Sequence, residues 1–197
     1  YGEWLDSNLV SLADIRIPNK SVEEYRGDDL SRLQKAFGYT YEEYRTAILN
    51  MALSGSEKIR AMGTDTPLAV LSEKHRPLFD YFKQLFAQVT NPPIDAIREE
   101  IVTSTTVYVG KEGNLLEESP ENCQVLKINN PILTNTDMLK IKNMDVKGFQ
   151  VAVVPITYYK SMNLKRALDH LFVEVDKVYR DGANILVLSD RGVDENH

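Results

Sequence analysis

The polar residues best placed for chemistry follow an apolar segment near the carboxyl end of the sequence. Ser189, Asp190 and Arg191 come directly after Ile-Leu-Val-Leu at residues 185–188, a pattern typical of a buried β-strand. α/β proteins place catalytic groups where parallel strands end, so these residues could act on a phosphorylated or keto-acid substrate. The turn after a strand also favours Asp and Gly for its backbone geometry alone. The same residues therefore fit a purely structural turn, and the two interpretations remain open.

A second polar loop contains Met62, Gly63, Thr64 and Asp65. Gly63 permits positive φ or the close approach of another group, and Asp65 can accept hydrogen bonds from neighbouring backbone N–H groups. On physical grounds alone, this loop is a tight connection between helices.

Metal binding and thiol chemistry have little support in the sequence. His75, His170 and His197 lie far apart and match no metal-binding spacing. Cys123 is the only cysteine and has no basic neighbour in sequence that would activate it, so we expect a packed thiol. A single cysteine excludes an intrachain disulfide and favours a reducing, cytosolic setting.

The most informative segment joins two predicted helices through consecutive prolines. Pro92 and Pro93 cannot extend a helix, because proline fixes φ and has no backbone N–H. The helix before them has its apolar residues at the spacing that buries one face: Leu78, Phe79, Phe82, Leu85, Phe86 and Val89. A second helix is expected from Asp95. The sequence therefore predicts a rigid corner at residues 90–94, and its simplest role is that of a scaffold.

The elements that position these loops predict an α/β fold. Residues 149–156 form a nearly continuous apolar strand, residues 163–180 an amphipathic helix, and residues 185–188 another apolar strand. Strand, helix and strand at this spacing make a βα unit of a parallel sheet, either open or barrel-like. Further strands are expected at 105–109 and 124–128 and a helix at 135–142.

The amino-terminal part is predicted to be mainly helical. We expect helices at residues 28–37 and 40–53, the second beginning with the capping-box spacing of Thr40 and Glu43. Residues 1–27 are mixed in character and predict an irregular linker or arm, so the main domain is expected to cover residues 28–197.

Composition predicts a soluble protein. The 197 residues are 43% hydrophobic and 26% charged, and the net charge of −6 disfavours nucleic acid as the main partner. No apolar stretch approaches the roughly 20 residues that span a bilayer. The sequence begins without Met and ends shortly after a strand, so we expect it to be part of a longer chain.

Several motifs together resemble the central domain of the glutamate synthase large subunit. They are residues 62–72, beginning Met-Gly-Thr-Asp-Thr-Pro, residues 78–98, residues 130–133 and residues 185–192. The block FDYFKQLFAQVTNPPIDAIRE is long and specific, and the resemblance covers essentially the whole chain.

The resemblance implies a multidomain flavoenzyme, an oxidoreductase of glutamate biosynthesis. An amidotransferase domain with a cysteine nucleophile hydrolyses glutamine, and the ammonia passes through a tunnel to a synthase domain. That domain carries FMN and an iron–sulfur cluster and makes glutamate from 2-oxoglutarate. The central domain links the two and is expected to be a rudimentary or incomplete TIM-type barrel without its own flavin.

The resemblance also assigns roles to the two loops. It places Thr90 and Asn91 in the tunnel wall, with Pro92, Pro93 and Ile94 fixing their backbone. It places Met62 near the flavin and 2-oxoglutarate of the neighbouring domain, on the loop that continues with Gly63, Thr64 and Asp65.

Other family elements are missing from this sequence. Residue 1 is Tyr rather than the catalytic cysteine, and the cysteines for an iron–sulfur cluster are absent. We therefore expect a non-catalytic domain that is inactive in isolation. Its expected partners are the amidotransferase and FMN synthase domains of the same chain, in the cytoplasm, and a small NAD(P)H-oxidising subunit is left open. The alternatives are an independent barrel-type enzyme and a pure interdomain docking module.

Overall fold

The computed structural model describes residues 1–17, 22, 24–56, 73, 89 and 91–197. The chain divides into two compact units. The first consists of Tyr1–Val22 and Ala96–His197, and the second of Glu23–Asp95. The predicted helix at residues 78–89 and the Met62–Asp65 loop lie outside the described residues, except for Val89.

The secondary structure alternates between helices and short strands. The helices are α1 (Gly2–Asn8), α2 (Gly27–Ala36), α3 (Tyr41–Glu43), α4 (Leu49–Ser54), α5 (Ala96–Val102), α6 (Asn135–Lys142) and α7 (Leu164–Arg180). The strands are β1 (Val10–Ser11), β2 (Val107–Val109), β3 (Leu126–Ile128), β4 (Val151–Pro155) and β5 (Ile185–Ser189). Short 3-10 turns occupy Leu12–Asp14 and Pro120–Cys123, and a π-helical turn at Tyr44–Ile48 joins α3 to α4.

The described strands of the first unit form two small sheets. In the first sheet β3 lies in the centre, parallel to β1 and antiparallel to β2. In the second, β4 and β5 are parallel, in a register that runs from Val151 opposite Ile185 to Pro155 opposite Ser189. Helix α7 connects these two strands. The prediction of an α/β chain with a parallel βα unit is confirmed.

The core of the first unit lies around β3. Leu126 is completely buried, and the buried residues that cluster with it are Leu12, Ile15, Ile128, Ile141, Ile185 and Val187. Side chains from β5 and α6 thus pack with those of β3 in the same core.

The expectation that residues 1–27 are irregular is wrong for their first part. Residues 2–8 are helical, β1 pairs with β3, and the Val10 N–H donates to the Val125 carbonyl oxygen at 3.1 Å. Leu12 and Ile15 are buried in the core. The partner of β1 is far away in sequence, so local patterning could not reveal this pairing. The domain boundary at residue 28 stays a prediction.

The second unit contains the predicted amino-terminal helices. Glu43 N–H donates to Thr40 Oγ1 at 3.1 Å and Thr40 N–H to Glu43 Oε2 at 3.1 Å, which is the expected capping box. The helical run ends at Ser54, where Gly55 takes the left-handed conformation with φ of 65°. Ala47, in the π-helical turn, is the buried hydrophobic residue among those described here.

Candidate functional site

The loops that follow β4 and β5 lie side by side, as the parallel pairing predicts. Ile156 N–H donates to the Ser189 carbonyl oxygen at 2.9 Å, and Lys160 N–H to the Asn196 carbonyl oxygen at 2.8 Å. The rings of Tyr159 and His197 are 4.5 Å apart between centroids. The polar residues that follow β4 and β5 therefore meet at the carboxyl edge of this sheet.

Asp194 organises the turn after β5. Its Oδ1 accepts hydrogen bonds from Asn196 N–H at 2.8 Å and His197 N–H at 3.0 Å, and lies 2.7 Å from His197 Nδ1. The Asn196 backbone bond and the His197 side chain hold the pKa of Asp194 below its ordinary value. The turn thus favours the ionised form of this carboxylate. All the hydrogen-bond partners of Asp194 named here belong to the same turn, at Asn196 and His197.

Ser189 and Arg191 also make local contacts. Ser189 Oγ accepts from Arg191 N–H at 3.3 Å, and Arg191 Nη2 lies 3.5 Å from Asn135 Oδ1 at the start of α6. These are the contacts of a structural turn that ties β5 to α6. The structure brings Ser189 and Arg191 together, and their hydrogen bonds favour the structural interpretation over a catalytic one.

The described part of the proline corner is exposed. Asn91 lies in a bend, and Asn91, Pro92, Pro93 and Ile94 are all exposed; Ile94 keeps 39% of its accessible surface. The corner is followed by α5, which begins at Ala96, so the predicted second helix is confirmed. Thr90, Met62, Gly63, Thr64 and Asp65 lie outside the described residues.

A cavity that sequence reasoning missed lies at the opposite, amino-terminal edge of β4 and β5. Its volume is about 920 Å³, and it is formed by the loop before β3, the turns that precede β4 and β5, and the end of α7. Representative lining residues are Lys111, Glu121, Asn122, Gln124, Tyr179 and Asn184.

Side-chain amides brace the wall of this cavity. Gln124 Nε2 donates to the Lys147 carbonyl oxygen at 2.8 Å, and Asn184 Nδ2 to the Gly148 carbonyl oxygen at 2.7 Å. Gln150 Nε2 donates to the Asp181 carbonyl oxygen at 3.1 Å. These side-chain amides therefore bond to backbone carbonyl oxygens, and they hold in place the turns that lead into β4 and β5. In the sequence, Gly stands within two residues of Asn or Gln at three of these positions: 113–114, 148–150 and 182–184.

Comparison with known proteins identifies the family. The family model described as the glutamate synthase central domain matches residues 32–197. The chain belongs to the glutamate synthase central domain family. The resemblance drawn from the sequence motifs is confirmed.

Relatives of this central domain are large glutamate synthase chains. It is 41% identical over 198 residues to the glutamate synthase [NADPH] large chain of Bacillus subtilis, covering 99% of this chain. It is 39% identical to the chloroplastic ferredoxin-dependent glutamate synthase of spinach and 42% identical to ferredoxin-dependent glutamate synthase 2 of Synechocystis, covering 97% of this chain in each case. The chain spans about 12% of the length of each of these relatives.

The sequence has one cysteine, Cys123, which is unbridged and half-buried. Iron–sulfur clusters are held mainly by several cysteine thiolates. Among residues 1–17, 24–56 and 91–197, no group of three His, Cys, Asp or Glu side chains could hold a metal ion. No helix in the described part of the chain is long and apolar enough to cross a membrane.

Proposed function

We propose that this chain is the non-catalytic central domain of a whole glutamate synthase. In this role it links the glutamine amidotransferase domain to the FMN synthase domain and lines the ammonia tunnel between them. The observation that carries the proposal is the exposed proline corner of Asn91, Pro92, Pro93 and Ile94 in a chain of this family.

The chemistry of the corner suits a tunnel wall. Ammonia must reach the synthase site neutral, because protonation by bulk water removes its nucleophilic lone pair. Pro92 and Pro93 have no backbone N–H and fix their own φ, so the corner presents few groups that would hold ammonia and keeps its shape without help from a ligand. Ile94 adds an exposed apolar side chain. A rigid apolar surface of this kind guides a small neutral molecule without binding it tightly.

The remaining assignments follow from the same role. Met62, with Gly63, Thr64 and Asp65, would face the flavin and 2-oxoglutarate of the synthase domain. FMN and the iron–sulfur cluster would belong to that domain, so the isolated chain would be inactive. The whole enzyme would be cytoplasmic, and a small NAD(P)H-oxidising subunit would be a further partner.

For the fold, we propose an incomplete TIM-type barrel. Support comes from the parallel unit of β4, α7 and β5, which is the repeating unit of such barrels.

The test is a substitution that narrows the tunnel without removing a catalytic group. In the full-length enzyme, Asn91→Trp places a large ring at the corner, and Asn129→Trp makes the same change at another exposed Asn. We expect Asn91→Trp to hydrolyse several molecules of glutamine for each glutamate formed by the synthase site, while Asn129→Trp stays coupled. One glutamine hydrolysed per synthase turnover in the Asn91→Trp enzyme would refute the tunnel role.

A docking module without a tunnel role is the second candidate. It is supported by the exposed apolar side chains of α7, which include Leu164, Phe172, Val173 and Tyr179, exposed between 59% and 70%. Helix α7 has no fully buried residue, so its apolar side is available to other parts of a large enzyme. In this case, Asn91→Trp would stay coupled and Phe172→Lys would weaken the association of the domains.

A further inference from the structure

The loop before β3 contains a tightly hydrogen-bonded turn at residues 113–117, here called the Leu-Leu turn. Leu116 N–H donates to Asn114 Oδ1 at 3.1 Å, and Glu117 N–H donates to the Asn114 carbonyl oxygen at 3.1 Å. Asn114 therefore closes the turn with both its side chain and its backbone, as Asx turns do.

The Leu-Leu turn is held to the rest of the unit by Asn122. Asn122 Nδ2 donates to the carbonyl oxygens of Asn114 at 3.1 Å and Glu117 at 2.7 Å. Gly113 has φ of +70°, and a Cβ there would overlap the Asn122 amide. Asn122 lies on the 3-10 turn Pro120–Cys123, which packs against α1. The turn is thus fixed at its base.

The two residues at the tip of this turn are apolar and exposed. Leu115 keeps 77% and Leu116 94% of their accessible surface. No hydrogen bond of the turn requires leucine, because all of them use backbone groups or the amides of Asn114 and Asn122. Exposed apolar side chains on an ordered support are typical of an anchor that fills a pocket on a partner.

The surroundings of the tip are acidic. Residues 111–123 contain four glutamates, Glu112, Glu117, Glu118 and Glu121, against one lysine, Lys111. The Glu118 side chain raises the pKa of the Tyr1 hydroxyl, and the Glu121 backbone and the Ser119 hydroxyl hold the pKa of Glu121 below its ordinary value. An apolar tip flanked in sequence by acidic residues is complementary to an apolar pocket with a basic rim.

We propose that the Leu-Leu turn is a docking anchor, with Leu115 and Leu116 inserted into an apolar, basic-rimmed pocket on another domain of the same polypeptide. The proposal rests on the linking role proposed above. An intramolecular partner is favoured because the relatives are about eight times as long as this chain, so most of the polypeptide that could cover the turn lies outside it.

Hydrogen exchange tests whether the turn is covered. Backbone exchange of the peptide that contains residues 113–117 is measured by mass spectrometry in the full-length enzyme and in the isolated chain. We expect at least tenfold slower exchange in the full-length enzyme. Equal rates, or protection that appears only as the enzyme self-associates, would overturn the proposal.

Substitution tests whether the two leucines are responsible. In the full-length enzyme, Leu115→Ser with Leu116→Ser should return the exchange of the turn to the rate of the isolated chain. Ile132→Ser is the matched control, because Ile132 is an equally exposed apolar residue at 84%. In the isolated chain, neither change should shift the unfolding midpoint, because both sites are already in water. Protection that persists in the double variant would overturn the anchor role.

The charge of the rim is tested separately. Glu112→Lys with Glu117→Lys should speed exchange of the turn in the full-length enzyme, and an unchanged rate would overturn the basic rim.

The outcome of the hydrogen-exchange test is independent of the outcome of the tunnel test. A protected turn with a coupled Asn91→Trp enzyme would keep the anchor and remove the tunnel, and an unprotected turn with an uncoupled Asn91→Trp enzyme would do the reverse.

Discussion

Gln150 and Asn184 bind each other twice where β4 and β5 begin. Gln150 N–H donates to Asn184 Oδ1 at 2.9 Å, and Asn184 N–H donates to the Gln150 carbonyl oxygen at 2.9 Å. The first ladder pair, Val151 opposite Ile185, follows directly. The side chain of Asn184 therefore continues the pairing of the two strands by one residue beyond the ladder, and this sets the register at its start.

Replacing Asn184 by Ala should destabilise the chain. The change removes the bond to Gln150 N–H and the bond from Nδ2 to the Gly148 carbonyl oxygen, at about 0.5–1.5 kcal/mol each. We expect the free energy of unfolding in urea to fall by about 1–3 kcal/mol. Asn129→Ala removes an exposed amide instead and should change stability by less than about 0.5 kcal/mol. Equal values for the two variants would contradict a role for Asn184 in joining the strands.

Gly148 should tolerate a methyl group much less well than Gly192. Both glycines have positive φ, +91° for Gly148 and +98° for Gly192, so alanine is strained at either position by about 1–2 kcal/mol. A Cβ at Gly148 would also overlap the Gln124 amide, whereas a Cβ at Gly192 would meet open space. Gln124 would have to give up its bond to the Lys147 carbonyl oxygen. We therefore expect Gly148→Ala to cost about 1 kcal/mol more than Gly192→Ala in urea unfolding. Similar losses would show that Gln124 moves freely.

Elements with strong local periodicity could be predicted from the sequence. The βα unit of β4, α7 and β5, together with α6, lies where the sequence predicts it, because long apolar runs and caps are local signals.

The burial of the apolar side chains of α7 was predicted less well. Helix α7 has 17 residues and is about 25 Å long, while β4 and β5 have five residues each. Two short strands cannot cover the whole apolar stripe, and Phe172 remains 64% exposed.

Strand β1 and the hydrogen bonds that brace the cavity could not be predicted from the sequence, because both depend on long-range contacts. Strand β1 has two residues and pairs with β3, so no periodicity marks it. The braces of the cavity link Gln124 to Lys147 and Asn184 to Gly148, across 23 and 36 residues. Asn and Gln are common in loops, so their partners are visible only once the chain is folded. The proline corner could be predicted from the sequence because proline restricts its own backbone.

The start of α6 should make stability depend on pH through Asp137. Asp137 Oδ2 accepts from Thr134 Oγ1 at 2.7 Å, and Asp137 N–H donates to Thr134 Oγ1 at 3.1 Å. The Thr134 hydroxyl is the main cause that holds the pKa of Asp137 below its ordinary value, with smaller effects from the Thr134 N–H and Lys140. The carboxylate therefore stabilises the folded chain above the unfolded pKa of about 3.9, and this contribution is lost as the pH falls through the lower, folded pKa.

Urea unfolding at a series of pH values between 7 and 2.5 measures this contribution. At pH 7, Thr134→Ala should lower the free energy of unfolding by about 1 kcal/mol, because it removes the N-cap. Asp137→Asn should be less stable than the wild type at pH 7. The difference should begin to shrink below about pH 4, where Asp137 of the unfolded chain takes up its proton, and should continue to shrink until folded Asp137 is protonated at lower pH. Asp169→Asn removes one negative charge from α7 without touching the cap, so its stability curve should run parallel to that of the wild type. A constant difference between Asp137→Asn and the wild type across this range would show that the capping carboxylate contributes by its shape and not by its charge.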